Sequence, residues 1–188
     1  MKYETGILQN KDEIKVFGSL LAHEKVKSYL EVGSKFGGSL WSVGRQLPVG
    51  SRIVSVDLPH GDKSFKESLP PLQECVKALR GMGYDAHLII GDSTAQDVID
   101  KVYALGPFDA AFIDANHTLP YVQKDFDNYS KVTKIIAFHD IGFYREKGMP
   151  PGKKPIEVPI FWNAIKKKYR NVEYKYDKQD NGIGVLWL

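Results

Sequence analysis

The sequence predicts an α/β fold: an open sheet of five parallel strands extended by a C-terminal antiparallel hairpin, seven strands in all, with helices on both faces. Two observations predict it. Short β-branched apolar runs alternate with helix-like segments from about residue 28 to residue 140, which is the pattern of a mainly parallel sheet. The last two apolar runs are joined only through "KQDNG". A link that short cannot hold a crossover helix, so those two strands pair antiparallel.

The elements follow in order. "EIKVFGSLLAHEKV" places apolar residues at helical spacing, so a helix is expected over about 10–27, an N-terminal helical segment (1–27) ahead of a core spanning 28–188. The five parallel strands are "SYLEVG" (28–33), "RIVSVD" (52–57), "HLIIGD" (87–92), "FDAAFID" (108–114) and "KIIAFHD" (134–140). Between them the expected helices are 38–47, 70–82, 94–104 and 119–130. The second is opened by Pro70 and Pro71 and closed by Gly81 and Gly83, the usual punctuation of a helix. "PIFWNAIKKKY" (159–169) reads as an amphipathic helix, "VEYKYD" (172–177) alternates, and "GIGVLWL" (182–188) is apolar throughout, as a strand buried on both faces would be.

Composition bounds the function. A chain of 188 residues, 43% of them hydrophobic, suits one domain with a sizeable core, here 1–188. The net charge of +3 is too mild to point to nucleic acid, which is disfavoured as a partner. The basic clusters "KGMPPGKK" and "KKKYR" read as a loop and a solvated helix face. Cys75 is the only cysteine, which excludes an internal disulfide and a cysteine-based zinc cluster. No apolar stretch reaches the ~18 to 20 residues that span a bilayer, and "MKYETGILQNKDE" has no signal-peptide core. A cytoplasmic protein away from membranes is expected. Oligomeric state stays open, a homodimer included.

The acids carry most of the functional reading. In an open parallel sheet, ligands bind outside the carboxyl ends of the strands. Glu31, Asp57, Asp92, Asp114 and Asp140 all fall at or near such ends. Asp is also an ordinary strand terminator and helix cap, but a series at successive strand ends favours a ligand site. After the first strand, "GSKFGGS" (33–39) can form a tight turn that lets a ligand approach the backbone. It is not the dinucleotide fingerprint, since Lys35 stands where the second glycine belongs, and no Gly-Lys-Ser/Thr phosphate loop occurs. Asp57, 24 residues after Gly33, can accept hydrogen bonds from both hydroxyls of a ribose. A nucleoside is therefore favoured over a bare phosphate.

A second group concerns chemistry. "DANH" puts His117 three residues after Asp114, and "HD" puts His139 and Asp140 at the end of the fifth strand. Carboxylates and imidazole converging at a sheet edge can hold a divalent cation such as Mg2+, through Asp114, His139 and Asp140. His117 suits a general base, because its ordinary pKa lies near neutrality. A helix cap or a buried structural histidine is the plainer alternative. The segment "GFYREKGMPPGKKPIEVP" (142–159) is long and rich in Gly and Pro. It would make an acceptor flap, with Phe143, Tyr144, Arg145, Lys153 and Lys154 as contacts.

Taken together, "EVGSKFGGS", Asp57, "GDS" (91–93), "FIDANHTLPYVQKDFDNY" (112–129) and "AFHDI" (137–141) resemble the class I S-adenosylmethionine-dependent methyltransferases, in particular small O-methyltransferase-like members. The resemblance covers about 28–188 and implies a Rossmann-like sheet with S-adenosylmethionine as cofactor. Gly33, Ser34, Lys35 and Gly37 would lie along the methionine moiety, with Glu31 near its ammonium group. Asp57 with Leu58 would meet the ribose, Asp92 with Ser93 the adenine, and Asp114 would complete the site. Lys35 replaces a glycine frequent in the wider superfamily. The implied reaction is O-methylation of a small hydroxylated molecule, with Asp114, His117 and Asp140 as the catalytic group and a divalent metal as helper. Two alternatives remain: an oxidoreductase binding a nicotinamide dinucleotide, and a non-catalytic nucleoside-binding module that needs only the Gly33 and Asp57 half.

Overall fold

The structure, a computed structural model, describes residues 7–58, 63–142, 155–176 and 181–188. Helix α1 (Lys11–His23) leads into strand β1 (Ser28–Val32), α2 (Gly38–Gly44), β2 (Arg52–Asp57) and α3 (Lys63–Gly81). Then come β3 (Asp85–Ile90), α4 (Gln96–Leu105), β4 (Phe108–Ile113), α5 (Leu119–Tyr129) and β5 (Thr133–Phe138). The chain ends with α6 (Val158–Ile165), β6 (Arg170–Tyr174) and β7 (Ile183–Trp187). The seven strands form one sheet in the order β3-β2-β1-β4-β5-β7-β6. The first five run parallel, and β7 lies antiparallel to both β5 and β6. This is the Rossmann-like sheet with a terminal hairpin that the sequence predicts.

Strand side chains alternate between faces, so the inner strands feed two cores. Tyr29, Ile53, Phe112 and Val185 pack with Phe17 of α1, Leu40 of α2 and Leu79 of α3. Leu30, Val54, Ile113 and Leu186 pack with Val102 of α4, Val122 of α5 and Trp162 of α6. Helices α1 to α3 therefore cover one face and α4 to α6 the other. Gly184 shows why β7 carries a glycine between apolar residues: a Cβ there would come within 2.6 Å of the Trp162 ring, and that ring is fully buried.

Two boundaries differ from expectation. Helix α3 starts at Lys63, so Pro70 and Pro71 lie inside it rather than opening it. Leu72, Cys75, Val76 and Leu79 of this helix lie in the core; the sequence reads the prolines as its start because proline is commonest in a first turn. Strand β3 starts and stops two residues earlier than 87–92, which leaves Asp92 in the following loop. The β4–α5 connection is tied to the approach to α6. Glu157 N donates to His117 O at 2.8 Å, and Leu119 N donates to Glu157 Oε2 at 3.0 Å.

Candidate functional site

The sheet switches direction between β1 and β4, where successive connections pass to opposite faces, and the carboxyl ends of these strands open a cleft. Gly33 begins it. With φ at 93° it takes a left-handed conformation, and a Cβ would sit 2.3 Å from the Asp114 carbonyl oxygen. Only glycine lets the β1 turn pass this close to the end of β4. Lys35 is also left-handed, with φ at 47°, the conformation a glycine would adopt without strain. Its backbone N–H donates to Asp57 Oδ2 at 2.6 Å, and Leu58 N donates to Asp57 Oδ1 at 2.8 Å. Burial raises the Asp57 pKa, while these amides pull it the other way. Each carboxylate oxygen keeps lone-pair capacity for a further donor.

The cleft has a volume of about 390 Å³, and its wall includes Gly33, Lys35, Asp57, Leu58, Asp92 and Ser93. A second chamber of about 270 Å³ adjoins it, bounded by Gln9, Ser34, Ser39, His139, Asp140 and Asn181 among others. Gly33, Lys35, Asp114, Ala115 and His117 belong to both walls. The two spaces thus meet at the Asp114–His117 pair.

That pair belongs to a compact charged group. His117 Nε2 lies 3.2 Å from Asp114 Oδ1 and 3.2 Å from Asp140 Oδ2. Ligand atoms of Asp114, His117 and Asp140 all fall within 4.8 Å of one another, an arrangement able to hold a metal ion. His139, expected as the imidazole of that set, is placed differently. It is buried, with Nδ1 3.2 Å from Asp140 Oδ1 and 3.4 Å from Asp114 Oδ1, and its Nε2 points toward Glu13 Oε2 at 3.9 Å. Burial pulls the His139 pKa down, but the Asp114 charge and the bonds to Asp114 and Asp140 outweigh it and carry the group up to about 10. The surrounding carboxylates thus favour the charged form of His139. Burial likewise opposes charging of His117, and its bond to Asp114 with the charges of Asp114 and Asp140 raises it on balance. For Asp114, burial is outweighed by the His139 charge and the His117 bond, which hold it well below the carboxylate range. Asp140 adopts a left-handed backbone, φ 62°, a costly conformation for a residue other than glycine, and such strain clusters at functional sites.

Two expected site residues stand behind the walls. Glu31 is fully buried, accepting from Tyr29 Oη at 2.6 Å and Ser39 Oγ at 2.7 Å. Burial pushes its pKa up to about 7, against the pull of those two hydroxyls. Gly37 faces α3: a Cβ there would be 2.8 Å from Cys75 Cβ, and the Cys75 thiol donates to Gly37 O at 3.3 Å. Gly37 thus permits close packing of the turn on α3. Of the expected flap, residues 143–154, with Phe143, Tyr144, Arg145, Lys153 and Lys154, lie outside the described residues.

The sequence reading passed over Gln9, whose side-chain amide donates to Asp114 Oδ2, and Glu13 on α1 beside His139. It also passed over Asp125, fully buried on α5 and bonded to Ser93. A signal was present for two of these. Glu13 keeps company with Ile14 and Phe17 on the buried face of α1, and Asp125 falls between Val122 and Tyr129 on the buried face of α5.

A family model described as a methyltransferase domain matches residues 30–141. A search of curated proteins found no match. Several solved structures share the fold. The O-methyltransferase from Bacillus cereus, solved with SAH, superposes with a TM-score of 0.70 at 17% identity, over 95% of this chain and 82% of that one. The O-methyltransferase TomG from Streptomyces achromogenes, involved in tomaymycin synthesis and solved with SAM, gives 0.68 at 15% identity, over 95% and 80%. The SAH-bound methyltransferase PaMTH1 from Podospora anserina gives 0.61 at 18%, over 96% and 80%.

Proposed function

We propose that this chain, which belongs to the methyltransferase domain family, binds S-adenosylmethionine in the larger cleft and methylates a hydroxyl of a small acceptor reaching the Asp114–His117 pair. One observation carries the reading: the nucleoside-sized cleft and the second chamber share Gly33, Asp114 and His117 as their common wall. A group held in one space therefore meets a group held in the other at an acid–imidazole pair.

The residues suit the cofactor. Asp57, fixed by the amides of Lys35 and Leu58, has acceptor capacity for two vicinal ribose hydroxyls, and Gly33 keeps the turn bare where the chain passes β4. The cofactor supplies an electrophilic sulfonium methyl, so the protein's task is alignment and removal of one proton. The His117 ring, held through Nε2 by Asp114 and Asp140 at 3.2 Å each, takes that proton at its other nitrogen, and the two carboxylates stabilise the charged form. The donor set also suits a hard divalent cation. Asp140 Oδ1 is buried, with His139 Nδ1 3.2 Å away. Asp114 and Asp140 would hold the ion, which would polarise the acceptor oxygen. His117 is then kept for the proton. The nicotinamide alternative gains nothing from these findings, since the family matched is a methyltransferase one.

Calorimetry tests the cofactor half. S-adenosylhomocysteine should bind and NAD should not. Asp57→Ala should weaken binding by about 1.5 to 3 kcal/mol, the scale of hydrogen bonds to a charged acceptor. Unchanged affinity in a folded variant would remove Asp57 from the ribose site.

A further inference from the structure

Ser93 lines the cleft and is nearly buried. Its hydroxyl donates to Asp125 Oδ1 at 2.7 Å, and its carbonyl accepts from Tyr129 Oη at 2.6 Å. Asp125 and Tyr129 lie one turn apart on α5, so two side chains of one helix grip the loop after β3. The second oxygen of Asp125 is buried without a hydrogen-bond partner among the described residues. A fully buried carboxyl with an orphan oxygen is costly, and an apolar residue at this place on α5 would avoid the cost. Burial raises the Asp125 pKa to about 7, and the nearby charge of Asp92 adds to the effect.

The value of a carboxylate here lies in hydrogen-bond polarity. An ionised Asp accepts only, so a serine bonded to it must be the donor. With its one proton committed to Asp125, the Ser93 oxygen has only acceptor capacity left for the cleft. We infer that Asp125 is a positioning residue that sets Ser93 as an acceptor, so that the cleft selects a purine carrying an exocyclic amine over one carrying a carbonyl at the same place. This rests on the reading of the cleft as the S-adenosyl site.

The test compares binding of S-adenosylhomocysteine with binding of its deaminated counterpart, S-inosylhomocysteine, by calorimetry at pH 8.5. Wild type should prefer the amine by about tenfold or more, the scale of one or two hydrogen bonds. D125N, whose amide can donate as well as accept, should lose most of that preference while keeping its melting temperature. S93A, which removes the reading hydroxyl and leaves α5 untouched, should lose it too, and it serves if D125N fails to fold. Wild-type protein that binds S-adenosylhomocysteine while either variant keeps full discrimination overturns the relay alone. Wild-type protein that binds neither compound overturns the cofactor reading and the relay with it.

Discussion

His117 is the residue whose protonation state decides turnover under the proposed mechanism. Its ring is one-third exposed at the junction of the two chambers, with two carboxylates each 3.2 Å from Nε2. Those carboxylates raise its pKa above the ordinary 6.5 despite the opposing effect of burial. The sign follows directly. A base must be unprotonated to act, so activity should fall as pH drops through the raised value, and the acidic limb of the rate profile should lie above 6.5. His117→Ala should keep cofactor affinity and lose transfer by roughly 10²- to 10⁴-fold, the usual contribution of a positioned base. A limb at ordinary histidine pH, or normal turnover in the variant, would move the base elsewhere. The sequence made this residue legible because "DANH" follows a strand directly. It assigned His117 the proton and His139 the metal, on the strand ends that each follows. Only the fold decides which imidazole reaches the chambers' shared wall and which is enclosed with Glu13.

At the scale of elements, patterning revealed whatever is buried on a regular period. Five parallel strands, the reversed β7 and the helices between them all declare themselves through apolar runs, because each must fill one or both cores. The start of α3 was placed too late, at Pro70 rather than Lys63, because proline is commonest in a helix's first turn and drew the boundary there. Glycines within strands are a subtler case. The sequence shows Gly184 inside an apolar run, but its reason is a neighbour 22 residues earlier, the Trp162 ring that packs over it. A methyl group there would come 2.6 Å from a fully buried aromatic with no free end to swing away. Gly184→Ala should therefore destabilise the protein by about 1 to 3 kcal/mol, the cost of overpacking a core. Denaturant unfolding reads this as a lower midpoint at unchanged slope. A variant as stable as the parent would mean that α6 can slide on the sheet.

At the scale of the whole molecule, the N-terminal segment turns out to be part of the site as well as of the core. Read from sequence, residues 1–27 stand ahead of a core that begins at 28, because the functional motifs all lie beyond it. In the fold, Ile14, Phe17 and Leu21 of α1 are each fully buried, and the Phe17 ring lies 5.2 Å from that of Phe112 in β4. The same segment brings Gln9 to Asp114 and Glu13 to His139. Burying three large apolar side chains is worth about 1.5 to 3 kcal/mol apiece, or roughly 5 to 9 in all. A domain's entire margin is only about 5 to 15 kcal/mol. Removing residues 1–24 should thus cost the molecule most or all of its stability, and it would uncover Phe112 of β4, on which Phe17 packs. The truncated chain should lose its cooperative thermal transition and bind S-adenosylhomocysteine no better than background. Glu13→Gln in the full-length chain separates the two contributions. It keeps α1 packed while removing one of the three carboxylates around His139, so it should leave the melt cooperative and change the site alone. A truncated chain that melts cooperatively and binds like the parent would show that α1 covers the sheet without holding it.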